Sequence, residues 1–199
     1  MSDLVVKPLA PALAGDFLRF FDHERGPAFA DNPEWAKCYC HYYEVPVAID
    51  WPSLSAAQNR IAIQARIEVG EMEGFLAYDG DEPVGWLNAQ PRHKLPHCFD
   101  RMCIAPTPLP CAAYQAAVIV CFVIAPARRR QGVARALLAG ALSSLAARGF
   151  ILVDAFPFKS GDSESAADHY HGALPMFTAA GFAPLAETET ITVMRKFLR

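Results

Sequence analysis

Residues 117–125 form an unbroken apolar run rich in β-branched side chains, which suits a strand covered on both faces. Pro126 ends the run. After the basic turn RRRQG, the side chains Val133, Leu137, Leu138, Ala141, Leu142 and Leu145 recur on one helical face. Gly149 is positioned to close that helix in a left-handed conformation. A buried strand handing over to an amphipathic helix through so short a turn demands a layered protein, with the strand inside and the helix laid against its sheet.

The rest of the chain supplies partners for that strand. Residues 4–9 read as a strand and 12–23 as a helix, with Leu13, Phe17, Phe20 and Phe21 on one face. Residues 55–68 read as a second helix capped by Ser55, with Ile61, Ala65 and Glu68 following it. The runs 75–78 and 83–90, separated by DGDE, are a hairpin. Residues 150–156 return as a buried strand, 159–167 are a polar loop, 172–180 a short helix stopped by Gly181, and 182–187 and 190–197 two closing strands. The fold class is therefore α/β (α+β), with a mixed, mostly antiparallel central sheet flanked by helices. Residues 1–199 are expected to be one domain, and the segments 31–50 and 91–115 to be irregular insertions near the acceptor side.

Composition narrows the function classes. At 199 residues, 53% hydrophobic and 20% charged, the chain can offset the entropy of ordering itself and is not a disordered protein. A formal net charge of −3 leaves no overall positive field for a nucleic-acid backbone or an anionic membrane, so neither partner is expected and any anion site must be local. The run 116–125 is about half of the roughly 20 apolar residues a membrane span needs. The amino-terminal segment lacks the layout of an export signal, so the cytoplasm is expected. The six cysteines read as mostly buried hydrophobes. Cys38, Cys40 and His41, with His97, Cys98 or Cys103, raise zinc, but the single residue between Cys38 and Cys40 argues against it, and no metal is expected.

The junction carries the chemistry. The first four N–H groups of a helix lack partners and, with the helix dipole, favour an anion. Gly132 lets the ligand approach the amides, Ala134 keeps the next turn small, and Arg129 or Arg130 can add charge-assisted hydrogen bonds. A diphosphate fits. The turn lacks both the Gly-Lys-Ser/Thr ending of a Walker loop and the three glycines of a dinucleotide fingerprint.

The run Arg129-Arg130-Gln131-Gly132-Val133-Ala134 resembles the fingerprint of the GNAT superfamily of acetyl-CoA-dependent N-acetyltransferases: Arg or Gln, two residues, Gly, one residue, then Gly or Ala. The likeness extends through the helix ending in ARGF, the strand ILVDAF and the segment HGALPMFTAAGF, roughly the last 85 residues. It implies that main-chain groups of Arg129, Arg130, Gln131, Gly132, Val133, Ala134 and Arg135 hold the coenzyme A diphosphate. It also implies that those of Phe122, Val123 and Ile124 pair with the pantetheine arm, and that the two central strands splay apart to admit it.

Transfer to an amine calls for a base to free the nucleophile and an acid for the thiolate. Many members of the superfamily carry a tyrosine where this chain has Phe177. Tyr170 in DHYHG is the substitute acid, with His169 and His171 in reserve. Asp154, a carboxylate inside an apolar strand, is the candidate base, or else the partner of a structural arginine. Cys121 reads as core. The segment PEWAKCYCHYYEVP is the acceptor-side wall: Trp35, Tyr39 and Tyr43 offer rigid area, and Glu34 and Glu44 attract an amine, unless the aromatics form a second small core. The reading is an N-acetyltransferase acting on a small-molecule or peptide amine by direct attack. The alternative is a non-catalytic acyl-CoA-binding or sensing protein on the same fold. The acceptor stays open, as does pairing of two copies of the chain into a homodimer.

Overall fold

The computed structural model describes residues 4–22, 26–159 and 169–198. Its elements in chain order are β1 (Leu4–Pro8), α1 (Ala14–Phe21), α2 (Ala56–Glu68), β2 (Phe75–Asp79), β3 (Glu82–Pro91), α3 (Cys98–Arg101), β4 (Ala116–Ile124), α4 (Val133–Ala147), β5 (Leu152–Ala155), α5 (Leu174–Ala179), β6 (Ala183–Glu187) and β7 (Thr192–Phe197). The strands form one sheet in the order β1-β2-β3-β4-β5-β7-β6. Among these pairings β4 with β5 is parallel and the others are antiparallel, as the mixed reading requires. The polar loop expected at 159–167 lies, except for Lys159, outside the described residues.

Helices cover both faces. On one, α4 sets Val133, Leu137, Leu138, Ala141 and Leu145 against Ala77, Leu87, Ala117, Ile119 and Val153 of the sheet, and Phe177 and Phe182 extend the same core. Gly85 makes the closest approach possible, because a Cβ there would lie 2.7 Å from Val133 Cγ1. On the other face Phe17, Phe20 and Phe21 of α1 and Ile63 and Ile67 of α2 pack on Leu76, Tyr78 and Trp86. The buried stripe of α2 is thus Asn59, Ile63 and Ile67, while the expected Ile61 faces solvent. Ser55 caps α2 as expected, and Gln58 completes a reciprocal capping box. A third cluster joins Leu95, Cys98, Phe99 and Ile104 of the proline-rich connector to Val118, Val120, Phe156 and Val193.

One irregularity opens the sheet. β5 pairs with β4 only from Ala116↔Leu152 to Ile119↔Ala155. The register of β3 against β4 shifts between Asn88 and Ala89, where Asn88 faces Cys121 and Ala89 faces Ile119. The extra β4 residue is a bulge, which bends a strand away from its neighbour. β4 then runs on to Ile124 beyond the end of β5, and the space beside this unpaired length is the wedge along which the cleft-lining residues 121–124 lie.

Candidate functional site

A cleft of about 800 Å³ follows that wedge. One end is the turn between β4 and α4. Arg130 (φ 60°) and Gly132 (φ 87°) are both left-handed, and Gly132 caps α4 without a side-chain hydrogen bond. Ala136 N–H is bonded back to Gly132 O at 2.9 Å, so the N–H groups of Val133, Ala134 and Arg135 precede the helix's own ladder. A Cβ on Gly132 would meet nothing within 4 Å, so the space outside these amides is open. Of the sequence candidates, Arg129, Arg130, Gly132, Val133, Ala134 and Arg135 line the cleft. Gln131 does not, and its Nε2 donates to Ala127 O at 2.8 Å, bracing the turn.

The arginines divide by role. Arg129 is held by both carboxylate oxygens of Asp31 and donates through Nε to Ile124 O at 3.3 Å. Arg128 pairs with Asp79 at 2.7 Å. Arg130 and Arg135 make no ion pair among the described residues and are exposed. They supply the available positive charge, and Arg129 is a brace.

The middle of the cleft is the open edge of β4, where Cys121, Phe122, Val123 and Ile124 form the floor. Ala125 N–H donates to Val84 O on β3, so strand alternation turns the main-chain groups of Phe122 and Ile124 toward the wedge. Phe122 N–H is already committed, donating to Tyr170 O at 2.6 Å. That bond ties the segment carrying Tyr170 to the strand edge, and leaves Phe122 C=O and Ile124 N–H facing the wedge.

At the far end Trp35, Tyr42, Tyr43 and Trp51 form an aromatic wall with Glu34, Lys37 and Cys38, closed by His169 and Tyr170. Trp35 meets Tyr170 edge to face at 5.2 Å, and Tyr42 meets Trp51 at 5.2 Å. Tyr43 Oη is 3.0 Å from His171 Nε2. Burial holds the Tyr170 phenol up at about 12, with the Tyr43 hydroxyl pulling the other way. Desolvation pushes His171 down to about 3, so its ring is neutral. Among the described residues His171 Nδ1 is buried without a partner, and leaving a lone pair unmatched costs less than stranding an N–H. The hydrogen therefore sits on Nε2, which donates to Tyr43.

Three sequence candidates lie elsewhere. Asp154 is fully buried on β5 opposite Arg195 of β7. It accepts from Arg195 Nε at 2.7 Å, Arg195 Nη2 at 2.8 Å and Thr107 Oγ1 at 2.7 Å. It does not line the cleft, and a carboxylate so occupied has no lone pair aimed at a substrate; the structural-arginine alternative describes it. Tyr39 is buried against Phe21 and donates to Asp22 Oδ1 at 3.1 Å, which makes it part of the second core. Glu44 faces away from the cleft, paired with Arg66 at 2.8 Å and accepting from Gln90 Nε2 at 2.9 Å. The connector 91–115 likewise contributes no cleft residue: Arg92 and Thr107 brace Asp154, and His93, Lys94 and His97 line a separate polar depression. Phe177 is fully buried, packed on Phe122 and Phe182. Cys40, Trp51 and Met176 are cleft residues that the sequence did not single out for this role.

Among the described residues, no three His, Cys, Asp or Glu side chains come together as metal ligands, and no helix is long and apolar enough to cross a membrane. Residues 32–173 match the model of the acetyltransferase (GNAT) family. No curated protein matches the chain. Solved structures share the fold at low identity. An N-acetyltransferase from Staphylococcus aureus Mu50 superposes with a TM-score of 0.57 at 11% identity, with both chains covered in full. PaiA N-acetyltransferase from Thermoplasma acidophilum, in complex with coenzyme A, gives 0.54 at 8%, covering 98% of this chain and 99% of its own. YncA from Salmonella typhimurium, with its cofactor acetyl-CoA, gives 0.52 at 12%, covering 98% and 94%.

Proposed function

The chain belongs to the GNAT acetyltransferase family, and from that premise we propose that it transfers an acetyl group from acetyl-CoA to an amine of a small molecule or peptide. The observation that carries this reading is the continuity of the cleft: an open turn of amides, an unpaired strand edge and an aromatic pocket under a tyrosine lie along one groove. The donors match the cosubstrate's parts in order. The N–H groups of Val133, Ala134 and Arg135, with Arg130 and Arg135, would hold the diphosphate. Phe122 C=O and Ile124 N–H would pair with the pantetheine amides. Acetyl-CoA supplies an activated thioester carbonyl and a thiolate leaving group.

The chain's own groups manage the charges. Glu34 and the aromatic wall draw an ammonium group into the pocket, and His169 at the rim takes the proton that the amine must lose before direct attack. Tyr170 keeps its proton near neutrality and steadies the departing thiolate by donating a hydrogen bond, because a phenol near 12 does not surrender its proton outright to a thiolate near 8.5. Tyr43, held by His171, works against the burial that raises the Tyr170 phenol and so favours its donation to the thiolate.

The test is release of coenzyme A thiol from acetyl-CoA across a panel of polyamines, amino acids, aromatic amines and peptide amino termini. Turnover with one class and not with the others is the expected result. Tight coenzyme binding with no turnover on any of them would instead favour the acyl-CoA-binding alternative, which Phe177 in the place of the family's usual tyrosine recommends.

A further inference from the structure

Cys40 is a buried nucleophile with no part in the transfer described above, and its surroundings are built around its sulfur. Tyr39 (φ 44°) and Cys40 (φ 53°) are consecutive left-handed residues, neither of them glycine; each costs about 1 kcal/mol or more unless its surroundings hold it there. Tyr39 is held by its ring contact and its bond to Asp22, and the next residue is turned onto β3 and β4, where its side chain contributes to the cleft wall beside Cys121.

The polar partner of that sulfur is fixed by a chain of amides. Glu73 N–H donates to Gln90 Oε1 at 3.2 Å, which sets the orientation of the Gln90 amide. Gln90 Nε2 then donates to Glu44 Oε1 at 2.9 Å and to Asn88 Oδ1 at 3.0 Å. With its oxygen used as an acceptor, Asn88 must present Nδ2 to Cys40, and it donates to the sulfur at 3.3 Å. Asn88 and Gln90 are both fully buried, so neither amide flips without stranding a donor. A thiol is a weak acceptor and a thiolate a strong one, so a donor locked onto sulfur favours the ionised form.

Resting on the acetyl-CoA reading, we propose that Cys40 is a self-acylation site: with no amine in the pocket, its thiolate takes the acetyl group from the bound thioester. The new bond joins Cys40 Sγ to the carbonyl carbon, the bond from that carbon to the coenzyme sulfur breaks, and the proton Cys40 shed on ionising ends on the coenzyme thiol. One thioester replaces another, and no oxidant or reductant is needed. The three neighbouring thiols are not equivalent. Burial opposes ionisation of Cys40 and Glu44 adds to that opposition, but the Asn88 donor and the neighbouring Cys121 thiol work the other way, and its thiol lies below the ordinary range. Burial and the Cys40 charge push Cys38 up to about 12, and Cys121, beside Cys40 and equally buried, is raised well above its usual value. The cluster concentrates negative charge on one sulfur.

The full chain incubated with acetyl-CoA and no amine is the test, read by intact mass and peptide mapping. One acetyl group on Cys40, removed by neutral hydroxylamine and absent in Cys40→Ser, is expected. A parallel measurement needs no cosubstrate: iodoacetamide at pH 7 should alkylate Cys40 at least several-fold faster than the exposed Cys103, and Asn88→Leu should remove that advantage. If calorimetry shows coenzyme A bound while Cys40 stays unacetylated, or if Cys103 reacts first, the proposal fails. If coenzyme A does not bind at all, the acetyl-CoA reading fails instead, and the alkylation rates still decide whether Cys40 is a thiolate.

Discussion

The two ends of the cleft are made of different material. The turn of residues 129–135 offers main-chain amides presented by a strand, a glycine and a helix start, all within one short stretch of chain. The aromatic end is made of side chains brought together from distant places: Trp35, Tyr43 and Trp51 from one segment, and His169 and Tyr170 from another more than a hundred residues later. A site made of backbone tolerates most side-chain changes but not a change of backbone conformation. A site made of side chains fails one residue at a time, and the effects fall on turnover and acceptor binding before coenzyme affinity.

Substitutions at and around these ends can break that contrast. The largest effect is expected outside both. Asp154→Asn leaves Arg195 buried without its carboxylate, and should lower unfolding free energy in urea by about 3–5 kcal/mol while coenzyme affinity of the folded protein is retained. A pH-dependent loss of coenzyme-bound turnover peculiar to this variant would restore Asp154 as the base. Next, His171 is held neutral down to about pH 3, against an ordinary value of 6.5. Its contribution is therefore complete above pH 6.5 and declines as pH falls toward 3, because the unfolded chain takes up the proton first. At about 1.4 kcal/mol per pH unit, roughly 2–3 kcal/mol should go between pH 6.5 and 4.5. Urea midpoints of His171→Asn over that range should be flatter than those of the parent, and parallel curves would contradict the burial argument.

Tyr170→Phe should lower kcat about 100-fold with the coenzyme Kd unchanged, since the Phe122 N–H bond is to the Tyr170 main chain and survives. An equal loss of affinity would mean that the tyrosine positions the coenzyme and does not act on the thiolate. The smallest effect is expected for Trp51→Ala, which should raise the acceptor KM about 10-fold, in line with the loss of aromatic contact area, and leave the coenzyme Kd in place.

The same contrast explains what was legible in the sequence. The strand, the turn and α4 were readable because each rests on local periodicity or on one glycine, and the hairpin of β2 and β3 was marked by its Asp-Gly. The choice between base and structural partner at Asp154 is not legible in the sequence, because Arg195 lies 41 residues away and Thr107 47 residues away, joined only by strand pairing and by the connector. Tyr39 and Glu44 looked like their neighbours Trp35 and Tyr43. The left-handed backbone at Tyr39 and Cys40 turned Tyr39 into the core, and Arg66 drew Glu44 to the opposite side. The bulge opposite Asn88 and Ala89 leaves no mark in the apolar run 116–124.

The central claim is that the amides following Gly132 hold the coenzyme's diphosphate. Calorimetric titration of coenzyme A into the parent protein and into Gly132→Glu tests it most directly, because the substitution places a carboxylate and a side chain in a left-handed position where nothing else stands within 4 Å. Saturable binding by the parent, weakened about 100-fold or more in the variant, a loss beyond the roughly 1 kcal/mol that a side chain at this left-handed position costs in stability, is the predicted result. Equal affinities in the two proteins would contradict it.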